Sequence, residues 1–435
     1  VSPALAAEAD SAAIARDDRI EQLEKTVQLL ANELARVQTQ VAVPEDKELV
    51  SAYGLGPAAS KIYGVDRGLS IGGYGEINYT NFVGDEGDDP DLDRADALRT
   101  VLYLGYKFSE SIVFNSEIEF EHGTSSDVKN GSGSGSVSVE LAALDFFYKP
   151  ELNFRAGLLL APMGFINEVH EPPFFFGVQR PEVERRIIPS TWRNIGAGIF
   201  GQLGENFEYR AYLMTGFNGS RFSDAGFRSA RQKGNRALAE DFAIVLRGDY
   251  RCDCLAGLEI GGSIYHGDVD QDTGTTIVST GAPTATGRPI TDARLTMAEG
   301  HLQYRNGGLS SRVLAAWTHL AGAGDFNTAL GTSTTAPIAE NMFGAYAELA
   351  YDIWPLLFGG EAKALEPFVR VEYVDTQYRV PAGFVANRNR AYWVHTGGVN
   401  YSPHPNVVLK FEYRNLNARG GTKPDELALG VGFAF

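Results

Sequence analysis

The chain closes on Glu426-Leu427-Ala428-Leu429-Gly430-Val431-Gly432-Phe433-Ala434-Phe435. Leu427, Leu429, Val431, Phe433 and Phe435 fall on one face of a strand. Glu426, Ala428, Gly430, Gly432 and Ala434 fall on the other. A continuous apolar row opposite a small or polar row, stopping on an aromatic residue, is what a strand needs when one face meets lipid and the other a lumen. An edge strand of a soluble sandwich would also alternate. Here, however, the same alternation recurs along most of the chain, and the expected fold is an all-β transmembrane barrel.

Composition agrees with that fold class. The 435 residues include 49 Gly and 19 Tyr and carry a formal net charge of −17. Glycine and aromatic enrichment suits tilted strands flanked by interfacial aromatic girdles. There is no run of eighteen apolar residues to build a membrane-spanning helix, whereas barrel strands need only about ten residues each. The mean hydropathy of −0.17 fits strands with one wet face. The acidic balance argues against nucleic acid as a partner. Seven histidines are scattered at 122, 170, 266, 301, 319, 395 and 404, and no spacing among them suggests a nucleophile–base pair or a metal site. No enzymatic activity, cofactor or metal is therefore expected. Cys252 and Cys254, the only two cysteines, are separated by one residue. They read either as thiols of a turn or as an unusual short-span disulfide facing the periplasm, and two thiols alone are a poor zinc site.

The chain divides into four parts. Residues 1–12, with Ala4-Leu5-Ala6 before Ala7, read as a signal-peptide remnant or a disordered N-terminus. Residues 13–42 carry Ile20, Leu23, Val27, Leu30, Leu34, Val37 and Val41 in steps of three and four with polar residues between them, the heptad stripe of an α-helical coiled coil. The alternative is one amphipathic helix packed on the barrel. Pro44 stops the helix, and residues 43–68 read as a linker. From residue 69 to 435 strands are expected to start near Leu69, Leu98, Ile112, Val137, Leu152, Ile195, Phe207, Phe242, Leu258, Leu295, Leu309, Phe343, Leu365, Tyr392, Val407 and Glu426. That is about sixteen antiparallel strands, an even number with alternating short turns and long loops, so both chain ends belong on the periplasmic side. A barrel of that size has room for a water-filled lumen.

Alternation also assigns the wall. Glu117, Glu119 and Glu121 alternate with Ile118 and Phe120, and the charges are expected to face the lumen. By the same rule Arg99, Arg155, Arg210, Arg247 and Arg370 point inward. A lipid-facing Arg or Lys at midplane would cost about 2–4 kcal/mol. These groups either create a transverse field or pair with one another and stiffen the wall.

The segment from Pro162 to Asn194 is too apolar for a loop in water, carrying Phe174, Phe175, Phe176, Ile187, Ile188 and Trp192. It is expected to fold into the lumen. Its motifs are Pro162-x-Gly164, Asn167-Glu168, Glu171-Pro172, Arg180-Pro181, Glu184 and Ile188-Pro189-Ser190-Thr191-Trp192, followed by Gly196-x-Gly198. In these the chain resembles the phosphate-selective porin (porin O and P) family of Gram-negative outer membranes. The resemblance implies a homotrimeric sixteen-stranded diffusion channel for small ions and solutes. Its third outer loop would form the constriction, and some members carry an N-terminal coiled coil. It also implies that the terminal Phe435 is read by the barrel-assembly machinery. The surroundings would be outer-membrane lipid and lipopolysaccharide, with the coiled coil in the periplasm, where a cell-wall or periplasmic partner is the candidate for a tethering role.

Candidate constriction residues are Arg180, Arg185, Arg186 and Arg193, with Glu168 and Glu171. Guanidinium groups present fixed donors that match phosphate oxygens. The alternative is that the loop's glutamates pair with these arginines and only hold the loop in place. Arg221, Arg228, Arg231, Lys233 and Arg236 of the fourth loop can draw anions to the mouth. The first loop, with Asp85, Glu86, Asp88, Asp89, Asp91 and Asp93, reads as an acidic solvated surface.

Overall fold

A computed structural model describes residues 19–32, 41–42, 49–83, 93–123, 135–271, 293–360, 363–421 and 423–435. Residues 1–18, Leu34, Val37 and most of the acidic first loop lie outside the described residues, as does the side chain of Val41.

A helix, α1, spans 19–32, and a two-residue strand, β1 (Val41–Ala42), lies parallel to the start of the first long strand. The barrel strands are β2 (Gly68–Val83), β3 (Arg94–Ser109), β4 (Ile112–Glu121), β5 (Val137–Lys149), β6 (Leu152–Leu160), β7 (Arg193–Leu203), β8 (Phe207–Thr215) and β9 (Phe242–Arg251). They continue with β10 (Leu258–Asp268), β11 (Arg294–Asn306), β12 (Leu309–Leu320), β13 (Asn341–Tyr351), β14 (Ala364–Arg379), β15 (Ala391–His404), β16 (Val407–Ala418) and β17 (Asp425–Ala434). Each pairs antiparallel with its neighbour, and β17 pairs with β2, so β2–β17 form a closed sixteen-stranded barrel. Closure leaves no sheet edge among these strands. Phe435 completes the seam, exchanging backbone bonds with Gly73 at 2.8 and 3.0 Å.

The faces follow the pleat. In β17 the inward Ala428, Gly430, Gly432 and Ala434 are buried, while Leu429 and Val431 stand outside. Asn115, Glu117 and Glu119 of β4 are buried and Phe120 is exposed. Strand starts lie where the alternation predicts, except that β3 begins four residues early. Arg94 and Ala95 still pair with Thr80 and Tyr79 beyond the apolar belt, where water on both faces removes the alternation signal. Short turns join the strands at one end, and Cys252 and Cys254 form a disulfide in one of them.

Residues 49–67 of the segment that reads as a linker pack inside the barrel near the short-turn end. Residues Ala59–Gly64 form a 3-10 turn, and Leu55, Ala58, Ile62 and Val65 are buried. Inward-facing wall side chains hold it. Asn115 donates to the Ala59 carbonyl at 2.8 Å, Lys107 to that of Val65 at 2.9 Å, and Arg155 to that of Tyr53 at 3.1 Å. The Tyr63 hydroxyl donates to Asp145 at 2.6 Å. A chain without regular structure needs such partners for its backbone, and the charged wall supplies them.

Candidate functional site

The third long loop, residues 161–192, runs through the lumen and contacts opposite walls. Met163, Ile166, Phe175, Val183, Ile187, Ile188 and Trp192 are buried among inward-facing wall groups that include Met214, Tyr265, Tyr346, Tyr392 and Val394. Its apolar content therefore has an interior to enter. Asn167 clasps the loop's two ends. Its amide donates to the carbonyls of Ala161 and Trp192 at 2.6 and 2.9 Å and accepts from the Trp192 N–H at 2.7 Å. Glu184 accepts from the Ile166 N–H and the Tyr346 hydroxyl, each at 2.6 Å. The Pro162-x-Gly164 motif has a steric reason. Gly164 has φ +68°, and a Cβ there would sit 2.5 Å from a Glu184 oxygen.

Arginine and lysine side chains of the wall hold the loop's backbone on the far side. Arg370 donates to the Phe176 and Gln179 carbonyls at 3.2 and 3.0 Å and pairs with Glu348 and Glu372, both at 3.0 Å. Lys410 donates to the Phe175 and Gly177 carbonyls at 2.9 and 2.8 Å. Arg210 and Arg247 meet Glu168 at 3.1 and 3.7 Å, and both also pair with Asp249. Arg155 pairs with Asp145, and Arg99 lies between Glu76 and Glu119. Glu121 accepts from Ser136 at 2.7 Å. The inward charges thus mostly form pairs or hold backbone.

The six candidate constriction residues separate. Arg185 and Arg186 extend from a short helix, α2 (Glu182–Arg186), and both pair with Glu182, at 2.9 and 3.1 Å. Glu182 also receives Arg414 at 3.2 Å, so one carboxylate serves three guanidiniums. Arg180 makes one long bond, 3.5 Å, to the His170 carbonyl. Arg193 is fully inside the wall, bonded to Glu140 and the Val139 carbonyl, and is not at the loop's free surface. Glu168 faces Arg210. Glu171 meets no arginine among the described residues; it accepts the backbone N–H groups of Ala58 and Ala59.

Four cations of the fourth long loop come to the third. Arg186, Arg221, Arg228, Arg231 and Lys233 line a cavity of about 550 Å³, and no carboxylate is among its lining residues. Among the described residues Arg228 and Arg231 bond to neutral acceptors, those of the Ser190-Thr191 corner, where Thr191 has φ +57°, and for Arg231 also the Pro189 and Arg228 carbonyls. Burial, and then repulsion from Arg231, Arg180, Arg185 and Arg186, pushes the Arg228 guanidinium down. An anion would offset that repulsion. Arg236 is exposed and outside this lining. On the other side of the third loop a cavity of about 600 Å³ is lined by both signs, including Arg210, Arg247, Arg312, Glu168 and Asp249.

No family model matches the chain. An uncharacterized protein of Aquifex aeolicus (strain VF5) is 33% identical over 389 residues, which cover 87% of this chain and 82% of the relative. Among solved structures, OmpF of Salmonella typhi in complex with daunomycin superposes with a TM-score of 0.55 at 13% identity, over 85% of this chain and 98% of that one. The outer membrane channel DcaP of Acinetobacter baumannii gives 0.51 at 14% identity, over 85% and 97%. At such identities the likeness concerns the barrel fold.

Proposed function

We propose that this chain, which belongs to the family of the Aquifex aeolicus protein, is an outer-membrane porin, a passive diffusion channel for small hydrophilic ions and solutes with a preference for anions. The observation that carries the reading is the cavity at the long-loop end, with its five cationic side chains and no carboxylate. Selectivity in a water-filled pore follows the field at its narrow part. The third loop is that narrow part in this reading, and Arg186, Arg228 and Arg231 set its sign. The resemblance to phosphate-selective porins narrows the solute to oxyanions, for which guanidiniums are suited donors. The chain acts as a homotrimer in lipid and lipopolysaccharide, and α1 stands in the periplasm.

The test is the reversal potential of the purified protein in a planar bilayer under a salt gradient, with and without added phosphate. Anion preference with block by phosphate is expected. Cation preference would mean that the mixed inner cavity controls the field, and the reading would fail.

A tethering role is compatible with this function and rests on α1, whose Ile20, Leu23, Val27 and Leu30 are 46–64% exposed. Removing residues 7–43 would then weaken the envelope without changing conductance, and an unchanged envelope would dismiss the tether.

A further inference from the structure

Three side chains from three separate elements converge beside the third loop. Glu117 comes from β4, Glu140 from β5 and His170 from the loop, and each is 1% exposed. One nitrogen or oxygen from each lies within 4.8 Å of the others. His170 Nε2 is 3.1 Å from Glu117 Oε1 and 3.8 Å from Glu140 Oε2.

His170 Nδ1 is 3.3 Å from the carbonyl oxygen of Asn167 and Nε2 is 3.1 Å from Glu117 Oε1, so each ring nitrogen faces an oxygen that accepts. With the N–H on Nδ1, the Nε2 lone pair is free to ligate a metal. Glu140 Oε2 is buried and receives no N–H or O–H donor, and the Glu119 carboxyl lies close to Glu140. The other Glu140 oxygen is taken by Arg193. Arg99 is shared by Glu76 and Glu119, and Arg180 is the third nearby cation. Glu76, Glu117, Glu119 and Glu140 thus lie among the guanidiniums of Arg99, Arg180 and Arg193. An unpartnered carboxylate oxygen in such a place is costly unless a cation meets it.

We propose that Glu117, Glu140 and His170 bind a divalent transition-metal cation of the zinc type, which fastens the third loop to the barrel wall. One imidazole and two carboxylates are a ligand set zinc accepts, whereas magnesium and calcium favour oxygen alone. With metal–ligand bonds of about 2.0–2.2 Å, neighbouring ligand atoms of a tetrahedral centre lie about 3.3–3.5 Å apart. The two His–Glu separations bracket that value. The outer contacts also suit a metal: a ligating imidazole donates its second N–H to a carbonyl, and the Tyr74 and Tyr103 hydroxyls approach Glu117 Oε1 at 3.4 Å. Three protein ligands leave the fourth position to water.

The full chain is unfolded in chelator, refolded in detergent with or without ZnCl2 or CoCl2, and desalted. Wild type is expected to retain one ion per chain, to show the intense visible bands of tetrahedral Co2+, and to melt higher with metal than without. Glu140→Gln, which keeps the side chain's size, and His170→Ala are each expected to weaken uptake by more than the about 10- to 100-fold typical of losing an outer-shell partner. A wild type that binds no more zinc than the variants, or melts identically with and without metal, would overturn the proposal and leave a proton shared among the three groups.

Discussion

Glu171 holds Ala58 through both carboxylate oxygens, which accept the Ala58 N–H at 3.0 and 2.9 Å, and it also takes the Ala59 N–H at 3.2 Å. The contact joins the third loop to the segment that precedes the first barrel strand, across 113 residues of sequence. A Cβ at Gly56 would lie 2.4 Å from Glu171 Oε1, so the close approach depends on glycine there. Loop and N-terminal segment are therefore joined inside the barrel. Glu171→Ala leaves two buried N–H groups without acceptors, at about 1–3 kcal/mol each. Larger or noisier single-channel conductance steps are expected, with the barrel's circular dichroism retained. Identical conductance would show that the contact does not restrain the pore.

The same carboxyl has a pH signature. Burial, offset in part by the Ala58 and Ala59 N–H groups, raises Glu171 to about 7. For an acid raised in the folded state, the favourable contribution is fully present below its unfolded value of about 4.3 and is lost as pH rises through about 7. Wild type should thus lose up to about 3 kcal/mol between pH 5 and pH 8 relative to Glu171→Gln, which has no proton to lose there. Parallel urea-unfolding profiles of the two proteins across that range would contradict this assignment.

Arg228 and Arg231 are the cleanest handles on selectivity, because they bond to backbone and hydroxyl oxygens of the third and fourth loops and to no carboxylate within salt-bridge distance among the described residues. Replacing both by Gln retains donors to the Ser190-Thr191 corner and removes two charges from the cavity. The reversal potential is expected to move toward cations, and phosphate block to weaken. Arg193→Gln serves as a contrast, since Arg193 is bonded inside the wall. An equal shift from Arg193→Gln alone would mean that long-range charge, and not the cavity, sets the preference.

The barrel was legible because an apolar outer face and a polar inner face impose a strict alternation on the strands. All sixteen strands could be placed, and the buried charges, from Arg99 to Arg370, follow the same rule. The third loop's inward fold was legible from its aromatic content. What alternation cannot show is which charge meets which. Glu171 reads as an acid available to arginine, yet it caps backbone. Residues 49–67 lack periodicity, and only the inward-facing Asn115, Lys107 and Arg155 reveal why they pack inside. His170 and Glu117 stand 53 residues apart, and no local spacing announces such a cluster.

Asn167 should be among the residues on which the loop's fold depends most. It satisfies two carbonyls and one N–H at the point where the loop leaves and rejoins the wall. Asn167→Ala strands the Trp192 N–H in a buried place, while the Ala161 and Trp192 carbonyls keep the N–H groups of Met163 and Ala161, and a loss of about 1–3 kcal/mol is expected. Thermal unfolding in detergent reads the loss, and Trp192 fluorescence reports whether the corner has opened. A melting point equal to wild type would mean that water replaces the amide without cost.

Helix α1 gives the last test, which concerns assembly. Its apolar residues at 20, 23, 27 and 30 lie at heptad spacing, and all four are exposed in the single chain. Apolar surface of this kind stabilises an assembly by about 25 cal/mol per Å² once covered, and three copies beneath a trimeric barrel would cover one another. Deleting residues 13–42 should then lower the temperature at which the oligomer dissociates in mild detergent, while each barrel keeps its conductance. The converse substitution, Leu23 and Leu30 both to Asn, should do the same without shortening the chain. If both variants keep the oligomeric mass and heat resistance of wild type, the barrel walls alone hold the assembly together, and the stripe on α1 serves a different partner.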